Sequence, residues 1–257
     1  MKTILVIGIG AGNPDHITVQ AIKALNRAKV FFILDKGYAN DDLLRLRREL
    51  CEQYIEGDDY RLLQVRDPER EDDPQSYRNG IEQWHEQRAA LFGQLIADEV
   101  EEEGVGGFLV WGDPALYDST LRVLDRVLTQ GRQVFNYEVI PGITSVQALA
   151  AQHRVALNRI GEPIQITTGR RLARQQGAEL DNVVVMLDAR TTFEQFLDQD
   201  LHIYWGAYLG TPDEILIAGP LREVCEQIKR TREAARADKG WIMDTYLLRQ
   251  PAGLNAS

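Results

Sequence analysis

The sequence predicts a two-domain α/β protein: a parallel α/β sheet over residues 1–158 and an α+β domain of mixed strands over 159–257. Three observations predict it. Apolar, β-branched runs alternate with amphipathic stretches through the first half. Three of those runs end in glycine- or proline-bearing loops that lead into helical patterns. After about Asn158 the strand-like runs crowd together, with fewer helical stretches between them.

In chain order, residues 3–9 read as a buried parallel strand. Ile17, Ala21, Ile22, Leu25 and Ala28 then recur at helical spacing, with Thr18 placed to cap that helix. Residues 30–34 form a second strand, closed by Asp35-Lys36-Gly37, and the strand, helix and strand suggest a right-handed crossover. Residues 43–51 read as a short basic helix bearing Arg45, Arg47 and Arg48. Residues 57–80 carry little apolar periodicity, and the charged run from Arg66 to Pro74 reads as an exposed loop. Ile81, Trp84, Arg88, Leu91, Phe92, Leu95, Ile96 and Val100 define one face of a long helix, with Arg88 its single polar member. Glu101, Glu102 and Glu103 oppose the helix dipole at its end and are expected in solvent. Residues 108–111 form a third strand, running through Gly112-Asp113-Pro114 into a helix on Leu121, Leu124 and Leu128. Residues 134–140 form a fourth, running through Pro141-Gly142-Ile143-Thr144-Ser145 into a helix of small residues. In the second half, residues 164–168, 182–187, 202–209, 214–218 and 241–248 are strand candidates.

A net charge of -10 over 257 residues argues against a general nucleic-acid or lipid-surface binder, while leaving room for a local basic site. Cys51 and Cys225 match neither a metal spacing nor a redox pair, so two reduced thiols in a cytoplasmic protein are expected. His16, His85, His153 and His202 are dispersed, and no metal site is expected. No apolar run approaches the ~18 residues of a membrane span.

The chemistry is expected at the three strand-exit loops, 8–14, 112–114 and 141–145, because open α/β sheets bind ligands beyond their carboxyl ends. The first loop approaches a dinucleotide fingerprint, and Asp35 stands where such a fold places its ribose-binding carboxylate. Against this, Asn13 replaces the third glycine, Pro14 offers no N–H, and the helix starts only near Thr18. A nicotinamide-dependent oxidoreductase therefore stays open at this point. Arg170, Arg171 and Arg174 form a basic cluster that reads equally as a solvated helix start or an anion clamp.

Taken together, the loops resemble the tetrapyrrole methylase family. Gly8-Ile9-Gly10-Ala11-Gly12-Asn13-Pro14-Asp15-His16-Ile17-Thr18 resembles that family's opening motif, Gly112-Asp113-Pro114-Ala115-Leu116-Tyr117 its Gly-Asp-Pro loop, and Pro141-Gly142-Ile143-Thr144-Ser145 its Pro-Gly turn. The segments 31–37, 111–120 and 157–163 are similar to a cobalamin-pathway branch. The resemblance implies a homodimeric S-adenosylmethionine-dependent C-methyltransferase, with its cofactor held between two domains largely by main-chain atoms. It implies methylation of precorrin-5 at ring carbon C1, giving precorrin-6A with release of acetate. By motif, Pro14, Trp111, Gly112, Asp113, Leu116, Tyr117, Thr144 and Ser145 would line one side of the cofactor, and Met186, Leu187, Tyr208 and Trp241 the other. Asp113 and Tyr117 are candidates for the deacetylation chemistry. The polycarboxylate substrate would meet Asp35, Arg45, Arg48, Arg170 and Arg171. The alternatives are another acceptor within the family, an NAD(P)-dependent oxidoreductase, and a non-catalytic ligand-binding protein.

Overall fold

A computed structural model describes residues 1–35, 41–68, 77–175 and 177–251. The chain forms two compact units, Met1–Thr144 and Ser145–Ser257.

The first unit holds a five-stranded parallel sheet in the order β3-β2-β4-β1-β5. Its strands are β1 (Lys2–Gly8), β2 (Val30–Asp35), β3 (Arg61–Arg66), β4 (Val105–Val110) and β5 (Phe135–Ile140). Helices α1 (Val19–Leu25) and α2 (Asp41–Tyr54) cover one face, and α3 (Tyr77–Glu99) and α4 (Thr120–Thr129) the other. Along β1, Ile4 and Val6 join Phe92, Phe108 and Val123, while Leu5 and Ile7 join Leu25, Phe31 and Leu50. Burial on both faces is why this run shows no polar alternation. Thr18 caps α1, its Oγ1 accepting from the Ala21 N–H at 3.0 Å.

Two expectations are corrected. Residues 57–80 are not one loop: β3 pairs in parallel with β2 from Val30 opposite Arg61 to Asp35 opposite Arg66. An edge strand is bonded on one side only and tolerates Arg61, Gln64 and Arg66, which hid its period in the sequence. The basic helix expected at 43–51 extends over Asp41–Tyr54. Residues 69–76, Lys36 and Gly37 lie outside the described residues, as does the side chain of Ile81.

Arg88 sits in the buried stripe of α3, as its spacing predicts. Its Nε donates to Asp67 Oδ1 at 2.8 Å, its Nη1 donates to Ser119 Oγ, and its guanidinium lies 4.6 Å from the Trp84 ring centre.

The second unit contains α5 (Ser145–His153), β6 (Gln165–Thr168), α6 (Gly169–Leu172), β7 (Val183–Met186), β8 (His202–Ala207), β9 (Ile215–Pro220), α7 (Leu221–Lys239) and β10 (Asp244–Arg249). Its five strands run β6-β7-β10-β8-β9, parallel between β6 and β7 and antiparallel elsewhere. Helix α5 packs on this mixed sheet, so the change of texture near residue 158 follows that helix. The 19-residue α7 has no counterpart in the sequence reading. Its buried stripe is Leu221, Cys225, Ile228 and then Arg232, and the arginine breaks the apolar pattern. Among the described residues, no helix is long and apolar enough to cross a membrane.

Candidate functional site

Three loops leave the carboxyl ends of the adjacent strands β4, β1 and β5 and meet backbone to backbone. Gly10 and Gly112 form an antiparallel bridge, the Gly112 N–H donating to the Gly10 carbonyl at 2.8 Å. A Cβ on Gly8 would lie 2.7 Å from Gly142 N and 2.8 Å from Gly112 O, and one on Gly142 would overlap that same oxygen. Side chains are therefore excluded from the junction by contact. Asp113 fastens it, Oδ2 accepting from the Gly142 N–H at 2.8 Å and Oδ1 from the Ala115 N–H at 2.7 Å. Each oxygen of that carboxylate is engaged with main chain.

The first loop closes in a turn, Pro14–His16, in which Asn13 Oδ1 accepts from the Asp15 N–H at 2.9 Å. Helix α1 begins only at Val19, and Thr18 already takes one of its free N–H groups. Helix α1 therefore does not begin at the glycines, as a pyrophosphate site would need. Asp35 Oδ2 accepts from Gln64 Nε2 at 2.9 Å. Both observations disfavour the dinucleotide reading.

Beyond the junction, Tyr117 stands in the left-handed conformation, φ +52°, and is 43 % exposed. Its partial burial pushes the phenol above its ordinary value, so it is protonated at neutral pH. Thr144 is buried, and a Cβ on Gly112 would fall 3.6 Å from its Cα. Leu116 is half-buried in the same loop, and its N–H donates to the Asp113 carbonyl at 3.2 Å. Trp111 packs against the apolar cluster under α1 and α2, and its Nε1 is buried without a hydrogen-bond partner among the described residues. His16 Nδ1 is in the same position.

Of the arginines on α2, the two nominated from sequence face outward. Arg45 pairs with Glu49 at 3.4 Å on the surface, and Arg48 donates to Gln64 at 3.3 Å. Arg47 turns inward instead, its Nε donating to the Leu109 carbonyl at 3.3 Å. Burial pulls its guanidinium down to about 10, against the opposing pull of Asp118. The signal for Arg47 was its place three and four residues before the buried Leu50 and Cys51, on one helix face. The Cys51 thiol is pushed up to about 12 by burial, which leaves it inert at neutral pH.

In the second unit, β10 lies between β7 and β8, with Thr245 opposite Met186 and Asp244 opposite Ala207. This brings Met186, Leu187, Tyr208 and Trp241 to one edge of the sheet. Leu187 is left-handed, φ +54°, and 62 % exposed; Tyr208 is left-handed at φ +50°. Such strain in bulky residues collects at ligand sites. The Tyr208 side chain is buried, its OH donating to the Trp241 carbonyl at 2.6 Å, so Tyr208 can present only its main chain. Ser145 Oγ lies 2.9 Å from Thr245 Oγ1. Arg170 and Arg171 stand exposed on α6, which follows directly on Thr168, the β6 residue opposite Met186.

Next to this edge lies a buried network that sequence reasoning missed. Tyr246 OH donates to Asp188 Oδ2 at 2.7 Å, and Arg232 Nη2 to the Asp188 carbonyl at 2.7 Å. Arg232 Nε and Trp205 Nε1 both donate to Asp244 Oδ2 at 3.0 Å. Burial pushes the Asp244 carboxyl up, and the Arg232 guanidinium opposes that shift.

The family model of tetrapyrrole (corrin/porphyrin) methylases matches residues 3–225. The chain is 51% identical over 252 residues to precorrin-6A synthase (deacetylating) of Sinorhizobium sp, covering 98% of this chain and 97% of that protein. It is 21% identical to cobalt-precorrin-4 C(11)-methyltransferase of Priestia megaterium, over 95% of this chain and 90% of that one. A crystal structure from Corynebacterium diphtheriae, described as a cobalamin synthesis related protein (CobF), superposes with a TM-score of 0.83 at 39% identity, covering 97% of this chain and 99% of that one. A uroporphyrin-III C-methyltransferase from Thermus thermophilus, solved with S-adenosyl homocysteine, shares the fold with a TM-score of 0.57 at 19% identity, over 96% of this chain and 97% of that one.

Proposed function

The chain belongs to the tetrapyrrole methylase family, and on that premise we propose that it methylates precorrin-5 at ring carbon C1, with S-adenosylmethionine as methyl donor, and releases acetate to give precorrin-6A. The observation that carries this reading is the junction of Gly8, Gly112 and Gly142 at the carboxyl edge, in a chain 51% identical to a precorrin-6A synthase. There main chain packs on main chain, which fixes the three loop ends that would face a ligand. A cofactor held by N–H and C=O groups fits those ends, and the exposed, left-handed Leu187 offers its main chain as well. When bound, the sulfonium cofactor supplies an already activated methyl group.

The protein's own residues then have three tasks. Pro14, Trp111, Gly112, Leu116 and Thr144 hold the donor and acceptor in line, which is worth most when the methyl is pre-activated. Asp113 keeps the loops in register through its two main-chain contacts. Tyr117, protonated and at the loop crest, donates a hydrogen bond to the acyl oxygen as water adds to that carbon; the carbon–carbon bond then breaks with its electron pair left on the ring carbon, which takes the methyl group, and the acyl carbon leaves as acetate with the protons of water passing to solvent. Met186, Leu187, Ser145, Tyr208 and Trp241 complete the cofactor contacts in this reading, and Asp35, Arg45, Arg48, Arg170 and Arg171 meet the substrate's periphery.

The reading extends to a cytoplasmic homodimer. The exposed side chains of Ile160, Ile164 and Ile166, beside and on the edge strand β6, favour self-association, which sedimentation velocity measures.

Calorimetric titration tests the cofactor assignment. S-adenosylhomocysteine is expected to bind with a micromolar constant and NADPH not to bind. Binding of NADPH alone would overturn the assignment.

A further inference from the structure

Strands β2 and β4 are paired only from Val30 to Phe32 on β2, opposite Gly106 to Phe108 on β4. Towards their carboxyl ends the pairing lapses, although both strands continue. The Leu109 carbonyl, beyond the last β2 partner, accepts from Arg47 Nε at 3.3 Å. Trp111 lies two residues further along the chain, on the Leu109 face, and packs with the same apolar cluster. His16 lies across the glycine bridge: a Cβ on Gly10 would fall 2.9 Å from His16 Cβ, and Gly10 bridges Gly112. The carboxyl edge thus gathers an inward-turned guanidinium and two buried ring nitrogens that find no partner among the described residues.

An indole N–H can only donate, so its burial calls for an acceptor. A guanidinium in partial burial favours an anion with two oxygens, which it meets as a fork. We propose that Arg47, Trp111 and His16 form a carboxylate subsite that takes one acidic side chain of the tetrapyrrole. Arg47 supplies the charge, Trp111 Nε1 a second donor, and His16, in its Nδ1–H tautomer, a third. Asp118 is the neighbouring carboxylate, and its Oδ1 is held by the Thr120 N–H at 2.7 Å in its own loop. Even at about 10, the Arg47 guanidinium is charged throughout the neutral range.

The subsite rests on the methyltransferase reading above, and S-adenosylmethionine carries a carboxylate of its own. The experiment separates these sources. Arg47→Gln, Arg47→Lys and Trp111→Phe are compared with the unaltered enzyme in steady-state turnover of precorrin-5 and in titration with S-adenosylhomocysteine. Arg47→Gln is expected to raise the precorrin-5 KM by about 10- to 100-fold and Trp111→Phe by about 5-fold, in keeping with loss of charged and neutral hydrogen bonds. Arg47→Lys keeps the charge without the fork and falls between, and it decides the matter if Arg47→Gln does not fold. In the Arg47 variants, affinity for S-adenosylhomocysteine stays within about twofold, since the lost bonds are to the other ligand. An unchanged KM in the Arg47→Lys and Trp111→Phe enzymes, or a fall in S-adenosylhomocysteine affinity in the Arg47 enzymes that parallels their KM, overturns the subsite. An unaltered enzyme that binds no S-adenosylhomocysteine and turns over no precorrin-5 would remove the methyltransferase reading itself.

Discussion

Arg88 on α3 and Arg232 on α7 each occupy a place in a helix's buried stripe where an apolar residue is usual, and each pairs with an aspartate, Asp67 at 2.8 Å and Asp244 at 3.0 Å. Their surroundings differ. Arg88 joins two strand-exit segments, because Asp67 follows β3 and Ser119 ends the Gly-Asp-Pro loop. It also stacks on Trp84, whose Nε1 donates to the Pro68 carbonyl at 2.9 Å. Arg232 belongs instead to a closed network in which Asp188, Asp244, Trp205 and Tyr246 satisfy one another inside a core. The comparison shows that a buried ion pair can set the position of a loop or the cohesion of a sheet. What it joins decides which.

The largest effect is expected from breaking the closed network. Arg232→Met leaves the Asp244 carboxylate buried with one donor fewer and removes the donor to the Asp188 carbonyl. A loss of about 5 kcal/mol in urea-induced unfolding is expected, the upper end for a broken buried pair. A loss below about 1 kcal/mol would show that water reaches Asp244 and that the network is not closed.

Arg88→Met is expected to cost less, about 3 kcal/mol, because Asp67 lies in a strand-exit segment that can turn toward solvent. Its signature is a fall in kcat alongside the stability loss, as the Ser119 end of the Gly-Asp-Pro loop is released. A kcat unchanged under conditions where the variant is fully folded would reduce Arg88 to the same cohesive role as Arg232.

The smallest effect concerns pH and belongs to the second unit. His153 Nε2 lies 3.0 Å from the Trp205 carbonyl, and burial holds His153 below its ordinary value. His202 is lowered too, by burial and then by His153. A depressed histidine contributes stability that is fully present above its unfolded value of about 6.5 and is lost as pH falls through that value toward the folded one. Thermal unfolding is therefore expected to shift slightly downward between pH 7.5 and 5.5, and His153→Gln to flatten that slope. An identical slope in the variant would contradict the assignment.

The same comparison explains what the sequence made legible. In α3 the apolar stripe is long enough, through Phe92, Leu95, Ile96 and Val100, for Arg88 to stand out as its one exception. In α7 the stripe has only Leu221, Cys225 and Ile228 before Arg232, so neither the helix nor the arginine declared itself. The edge strand β3 was hidden for a related reason, since half of its residues are charged or amide-bearing. The parallel core and the three glycine- and proline-bearing loops were readable because burial on both faces and backbone contact leave few residue choices. Arg47 was passed over because three arginines crowd one basic helix, and only its spacing to Leu50 and Cys51 sets it apart from Arg45 and Arg48. Tyr246 and Trp205 reach Asp188 and Asp244 from other strands, which no local period reveals.

The central claim is that this chain moves a methyl group onto a tetrapyrrole carbon and expels acetate. Incubating the full chain with precorrin-5 and S-adenosylmethionine labelled with 13C at the methyl group tests it most directly. One labelled methyl at ring carbon C1 and one equivalent of acetate per turnover are expected, both seen by NMR. Transfer of the methyl without acetate, or no transfer at all, would contradict it.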